Sequence, residues 1–361
     1  MKKLLQYLYA LGIAAIIGTG CTNDTRGGYQ AALPASMGRL NEIFVVADST
    51  LLAGTVGDTF NYYFQAPYLI LPQPEPLYDV RHETPRRLSL NPRLKEMKTY
   101  VIVADLEDED SPTTQMIMDD IGPEKRREIK ETKGFTVTVG RNKWAGGQML
   151  IYIVGFGEDK LVENIQRSFP QIVKKLNEEF YPKLEATAYQ GGENPAIAQE
   201  LEEKMGVKLK VPGDYVKAIY DEDNQTMWIR RDAPKLNANI MLHKLKYTAQ
   251  EQLSREGLKE IRNKLGAQYV STTLDSTYMI VNDIDLPMFV ETIEIDDYYA
   301  LEARGIWEIV NDFMAGPFIS YLIHNPNTNE LLFIDAFIYA PGEDKRDVMQ
   351  EMEVILATVD F

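Results

Sequence analysis

The run from Phe289 to Tyr339, FVETIEIDDYYALEARGIWEIVNDFMAGPFISYLIHNPNTNELLFIDAFIY, decides the fold class. It carries apolar stretches rich in β-branched and aromatic residues near 289–310, 317–324 and 331–339, the composition of strands. A Gly316-Pro317 turn parts the first two, and no crossover helix intervenes. Such strands pair antiparallel, as a long meander.

Working outward, strands are expected near 207–220, 226–231, 237–246 and 276–282, with Asp221-Glu222-Asp223-Asn224 as the turn between the first two. Thr248-Ala249-Gln250-Glu251 reads as a capping box opening a helix with Leu253, Leu258, Ile261 and Leu265 on one stripe. A last helix from Lys345 places Val348, Met352, Ile355 and Val359 together. Upstream, Glu42–Ala47 is a strand, and Asp48-Ser49-Thr50 can cap a helix reaching about Gln65. Leu71-Pro72-Gln73-Pro74-Glu75-Pro76 excludes helix. Tyr100–Asp105 is a strand, Glu107–Asp110 an acidic loop, and Phe135–Val139 pairs with Gln148–Val154 around Trp144. A long helix starts at Glu158, with a kink expected at Pro170. Strands flanked by helices without strict alternation indicate an α+β fold with largely antiparallel sheets. The turn formers Gln190–Pro195 separate two domains, 41–189 and 195–361, behind a flexible tether over 21–40. Gly-Glu-Asp-Lys precedes a helix in both halves, at 157–160 and 342–345, which suits any helix N-terminus as well as a duplication.

Residues 1–20 read as a secretory leader: Lys2 and Lys3, then 14 apolar residues from Leu4 to Ile17, then Gly18-Thr19-Gly20. That apolar stretch is short of the ~20 residues that span a bilayer. Cys21, the only cysteine, stands where lipid would be attached to a cleaved lipoprotein, although Gly18 occupies a place usually held by Leu, Val or Ile. Lipidation of Cys21 would anchor the chain to a membrane, expected to be the outer membrane, with the body in the periplasm or on the surface. Loss of the leader takes the net charge from −16 to −18. An acidic body argues against nucleic acid as a partner, because phosphate attraction needs a cationic footprint. With 45% apolar and 10% aromatic residues the chain can bury a real core.

Catalytic and metal chemistry find little material. His82, His243 and His324 have no cysteine or second histidine at metal-ligand spacing, so neither a metal site nor a cofactor is expected. Gly54-Thr55-Val56-Gly57-Asp58 lacks the Lys-Ser/Thr ending of a phosphate loop. Asp283-x-Asp285 and Glu294-x-Asp296-Asp297 have the composition of calcium ligands or a glycosidase pair, and equally of a solvated acidic face. Trp144, Arg304, Trp307 and Met314 form the candidate binding surface, since Arg and Trp are favoured at interface hot spots; core roles for the two tryptophans are the competing reading.

Gly57–Phe60 (GDTF), 71–76 (LPQPEP), 304–321 (RGIWEIVNDFMAGPFISY) and 340–347 (APGEDKRD) resemble a Bacteroidota lipoprotein family catalogued as domain of unknown function 4837. The resemblance covers most of the chain after Cys21 and implies no activity. The order of elements in the second half also resembles Mog1/PsbP-like α/β/α sandwiches, modules that are commonly binding or assembly factors. The expected function is therefore a non-enzymatic envelope lipoprotein that binds a protein or an extracellular ligand. A carboxylate-based hydrolase of glycan or peptidoglycan and a structural subunit of an envelope complex are the alternatives.

Overall fold

The computed structural model describes residues 33–134 and 137–360, and contacts gather 35–361 into one compact unit. Cys21, the leader and most of the tether lie outside the described residues, as do Phe135, Thr136 and Phe361. Ala35 and Met37, read from sequence as tether, bridge to Gly146 and Met97 of the body.

The first sheet comprises Glu42–Val46 (β1), Asp79–Glu83 (β2), Thr99–Asp105 (β3), Thr138–Arg141 (β4) and Met149–Gly155 (β5), in the order β2-β1-β3-β5-β4. β1 is parallel to β2 and β3, β3 is parallel to β5, and β4 alone runs antiparallel. Its helices are Ser49–Leu52 (α1), Thr55–Phe64 (α2), Pro85–Leu90 (α3), Pro112–Asp120 (α4), Pro123–Glu131 (α5) and Glu158–Ala188 (α6). Phe60, Phe64, Ile165 and Leu176 of α2 and α6 pack on one face, against Val45, Val101 and Ile151. Leu88, Ile117 and Ile129 of α3 to α5 pack on the other, against Phe44, Tyr100 and Leu150. A parallel sheet covered on both faces needs apolar side chains on both, so its strands show no alternation to read.

The second sheet is antiparallel throughout. It contains Val216–Asp221 (β6), Thr226–Ala233 (β7), Leu236–Lys246 (β8), Tyr278–Asn282 (β9), Phe289–Ile295 (β10), Tyr298–Val310 (β11), Ala315–Asn325 (β12) and Glu330–Tyr339 (β13). The order is β10-β11-β12-β13-β8-β7-β6, and β9 joins β11 beyond the end of β10. Arg255–Tyr269 (α8) covers one face through Leu258 and Leu265, against Met279, Trp307, Phe318 and Phe333. Pro195–Met205 (α7) and Arg346–Leu356 (α9) cover the other through Leu201, Met352 and Ile355, against Ile240, Ile319 and Ile334. Helices thus lie on both sides of this sheet. The α+β class stands, and antiparallel pairs predominate over the two sheets together; the parallel strands are confined to the first.

Several local expectations change. The helix expected from Ser49 to Gln65 breaks at Ala53-Gly54, and a Cβ on Gly57 would lie 2.1 Å from the Leu52 carbonyl oxygen, so α1 and α2 can meet only there. Asp48 does not cap α1; its carboxylate accepts from the hydroxyls of Ser111 and Thr113. α6 runs through Pro170 and Pro182 as one helix. The capping box is displaced: Gln252 accepts from the Thr248 and Ala249 amides, and Ser254 caps α8 by accepting from the Gly257 amide. The apolar run 289–310 is a hairpin, turned at Asp296-Asp297. The Asp221–Asn224 turn is present, with Asp221 accepting from the Asn224 amide.

A polar clasp joins the two sheets. Both carboxylate oxygens of Glu75 accept from the backbone amides of Lys345 and Arg346, at 2.7 and 2.8 Å, and so cap α9 from the other half of the chain. The Arg346 guanidinium donates to the Pro76 carbonyl and Asp79, and Asn41 donates to Asp347 and Gln350. Leu77 and Leu184 pack against the cores on both sides of this junction.

Candidate functional site

The four residues singled out in the sequence do not form one surface. Trp144 is half-buried, edge-on to Tyr100 at 5.2 Å, with the Lys143 amine 4.8 Å from its ring centroid. Its loop is stapled by the fully buried Gln148, which accepts from the Trp144 and Ala145 amides and donates to the carbonyls of Lys95 and Met97. Trp307 is 2% exposed, and its indole N–H donates to the Ile338 carbonyl, so it belongs to the core under α8. Met314 packs half-buried on that same core. Arg304 lies three residues before Trp307 on β11, hence on the opposite face of the pleat. There it pairs with Glu302 and Glu353, and Tyr68 donates to the same Glu353 oxygen. Burial works against the Arg304 charge, but Glu353, Tyr68 and Glu302 outweigh it and raise the guanidinium pKa. Burial, and then Glu353, hold the Tyr68 phenol well above its ordinary range. This cluster spans the junction between halves, and its polar atoms are engaged with one another.

Among the ligand-sized clefts that open on the body, two flank α8 and the pair α4–α5. One, of about 560 Å³, lies between α8 and the end of β8 beside the β6–β7 turn and is lined by His243, Leu245, Glu256, Glu260, Ile261 and Lys264. His243 Nδ1 is 2.9 Å from the Thr226 hydroxyl, and burial lowers its pKa, so the ring is neutral near pH 7. The other, of about 590 Å³, lies beyond the carboxyl ends of β3 and β5, between Leu106, Glu107, Met118, Arg126, Ile129 and Phe156. Both fall in the usual size range of small-molecule sites. Among the described residues no group of three or more His, Cys, Asp or Glu side chains is placed to hold a metal ion. Asp283, a candidate calcium ligand from sequence, is paired with Lys259 and Arg255.

The feature that sequence reading missed is the free margin of the second sheet. β9 and β10 both pair with the same side of β11, and among the described residues no strand pairs beyond them. Large apolar side chains stand in solvent along this margin: Ile284 is 91% exposed, Phe313 104% and Phe289 51%, with Leu274, Tyr278 and Leu286 also exposed. From Asp275 to Asp312 the strip carries ten acidic side chains and a single basic one, Arg304, which is already paired. Exposed apolar groups rimmed by charge of one sign are the mark of an interaction surface. The signal was present as Ile284, Leu286 and Phe289 between acids, but edge and interior strands look alike in sequence.

Residues 194–358, which include this whole margin, match a known family. It is described as Domain of unknown function (DUF4837). Residues 36–187 match a second, Domain of unknown function (DUF8532). The margin and the cleft under α8 lie within the DUF4837 portion, and the cleft at the ends of β3 and β5 within the other. No curated relative matches the sequence. Among solved structures, the chain is similar to the Saccharomyces cerevisiae Ran-binding protein Mog1p at 9% identity and a TM-score of 0.29, over 43% of this chain and 89% of that one. It is also similar to human STARD10 at 5% identity and a TM-score of 0.21, over 45% of this chain and 80% of that one. Among the described residues no helix is long and apolar enough to cross a membrane.

Proposed function

We propose that this chain is a membrane-anchored envelope lipoprotein that acts as a non-enzymatic binding or assembly module and docks a protein along the margin from Leu274 to Phe313. The observation that carries the reading is the exposure of Phe289 on β10, of Ile284 in the β9–β10 loop and of Phe313 in the β11–β12 turn, at the margin of a sheet whose faces are covered by helices. Apolar side chains held in water on a rigid scaffold contribute binding free energy without an ordering cost. The leader and Cys21 support the anchor.

The test places a photo-crosslinking residue at Ile284, at Phe313 and, as a control, at Leu90, which is 73% exposed at the end of α3. In intact cells the first two positions should yield the same discrete protein adduct and Leu90 should not. Cys21→Ala should abolish incorporation of labelled fatty acid and move the chain from the membrane to the soluble fraction. Adducts alike from all three positions would remove the docking margin; retention of label by Cys21→Ala would remove the anchor.

A further inference from the structure

We infer that the outer edge of β10 accepts one extended strand of a basic protein segment through backbone pairing. This rests on the reading of the margin as a protein-docking surface and names the kind of partner it fits.

The hydrogen-bond parity of β10 follows from its turn. Asp296 and Asp297 have φ of 48° and 68°, and the two-residue loop closes on the pair Ile295–Tyr298. Positive φ at both central residues is the type I′ geometry, in which the closing pair exchanges both backbone hydrogen bonds. Counting back through an unbroken register, Ile293, Glu291 and Phe289 are bonded to β11. Val290, Thr292 and Glu294 therefore turn their N–H and C=O groups outward. Three alternate residues with outward N–H and C=O groups form a template for an added strand.

The side chains select the occupant. β10 presents Glu291 and Glu294, with Asp285 before it and Asp296 and Asp297 after it; Asp283 is already paired with Lys259 and Arg255, and no basic residue lies in the sequence between Asp283 and Ala303. Two copies of this chain paired edge to edge would set these acids against one another, and an anionic bilayer surface would be repelled likewise. Glu291 shares one face of β10 with Phe289 and Glu294 lies on the other, so basic side chains on either face of an added strand meet an acid, and an apolar side chain beside them meets Phe289. Electrostatic complementarity would also speed the encounter and make it sensitive to salt.

The probe is a short fluorescent peptide of alternating lysine and valine, titrated into the folded chain and read by anisotropy. Wild type should bind it, and a glutamate-valine counterpart should not bind. Thr292→Pro removes an outward N–H and no bond to β11, so the fold should persist by circular dichroism while affinity falls on the order of tenfold. The lysine peptide N-methylated at alternate residues should lose affinity for wild type to a similar extent, which serves as the test if Thr292→Pro unfolds. E291K/E294K should reverse the preference toward the glutamate peptide. Equal binding of the two peptides, undiminished binding by folded Thr292→Pro or of the N-methylated peptide, or binding of phosphatidylglycerol vesicles in place of the lysine peptide would each overturn the inference. A crosslinked partner at Ile284 whose yield ignores Thr292→Pro would sink strand addition and leave the docking margin standing.

Discussion

Arg262 and Asp335 form an ion pair inside the core under α8, with side chains 1% and 2% exposed. Arg262 Nε donates to Asp335 at 3.0 Å, and the Ser320 hydroxyl donates to the same oxygen at 2.6 Å. The guanidinium lies 3.7 Å over the Phe318 ring, and its Nη1 is buried without a partner. Two unit charges ~4 Å apart attract by about 4 kcal/mol at an effective dielectric of 20, whereas each buried ion forgoes several kcal/mol of hydration. The pair is therefore near neutral for stability as a whole and costly to break. Asp335→Leu, which strands the guanidinium, should destabilise by about 3–5 kcal/mol, and Arg262→Met by a similar amount near pH 7. The double variant should lie within about 2 kcal/mol of wild type, a coupling of at least ~3 kcal/mol.

The two single variants should also part company with pH. Burial already pushes the Asp335 carboxyl up against the pull of Arg262 and Ser320. Without Arg262 the folded chain holds that proton more tightly than the unfolded one, so stability is regained as pH falls through the raised pKa. The gain is up to ~1.4 kcal/mol per pH unit. A stranded guanidinium cannot deprotonate, and Asp335→Leu should show no such recovery. Urea unfolding of the four proteins at pH 7 and pH 5 measures all of this. A cost below about 1 kcal/mol for Asp335→Leu, or a double variant as unstable as the sum of the singles, would refute the reasoning.

Other outcomes follow from single contacts. Trp307→Ala should cost about 3–5 kcal/mol, since it empties a core site and orphans the Ile338 carbonyl; an unchanged melting temperature would contradict it. Glu75→Ala uncaps α9 from across the junction and should lower stability by about 1 kcal/mol, with faster hydrogen exchange at the Lys345 and Arg346 amides as the local readout. His243 is held neutral by burial, its folded pKa below the ordinary histidine value, so the unfolded chain binds the proton first. Stability should therefore fall as pH drops below about 6.5, and His243→Gln should flatten that slope; a slope unchanged in the variant would assign it elsewhere.

What was legible in the sequence follows the patterning. α8 and α9 announce themselves through a stripe at helical spacing, and the meander β11 to β13 through long apolar runs. β2, Asp79–Glu83, has one apolar residue in five because it is an edge strand, and α3 to α5 are too short and polar to show a period. The hairpin at Asp296-Asp297 lacks the glycine or asparagine that usually betrays a type I′ turn, so β10 and β11 read as one strand. Arg262 and Asp335 did leave a trace: each interrupts an otherwise apolar pattern, between Ile261 and Leu265 and within LLFIDAFIY. The docking margin left less, because no local pattern says which strand of a sheet ends up unpaired.

The runs LPQPEP and APGEDKRD acquire their meaning only together. Glu75 sits between Pro74 and Pro76, whose rings fix φ, and the segment is folded back by the Tyr68 amide donating to the Glu75 carbonyl and the Leu77 amide to Ala66. The prolines restrict the backbone on either side of Glu75, which lowers the ordering cost of presenting its carboxylate to the two amides at the start of α9. Arg346, Asp79, Asn41 and Asp347 extend the same contact, and Tyr68, Glu353 and Arg304 continue it across the sheet. Glu75, Arg346 and Asp347 of these runs are thus engaged in making one body from two sheets. The outward backbone groups of β10 begin where this contact ends: Phe289 stands opposite Arg304 in the β10–β11 register, and Thr292 and Glu294 beyond it are exposed.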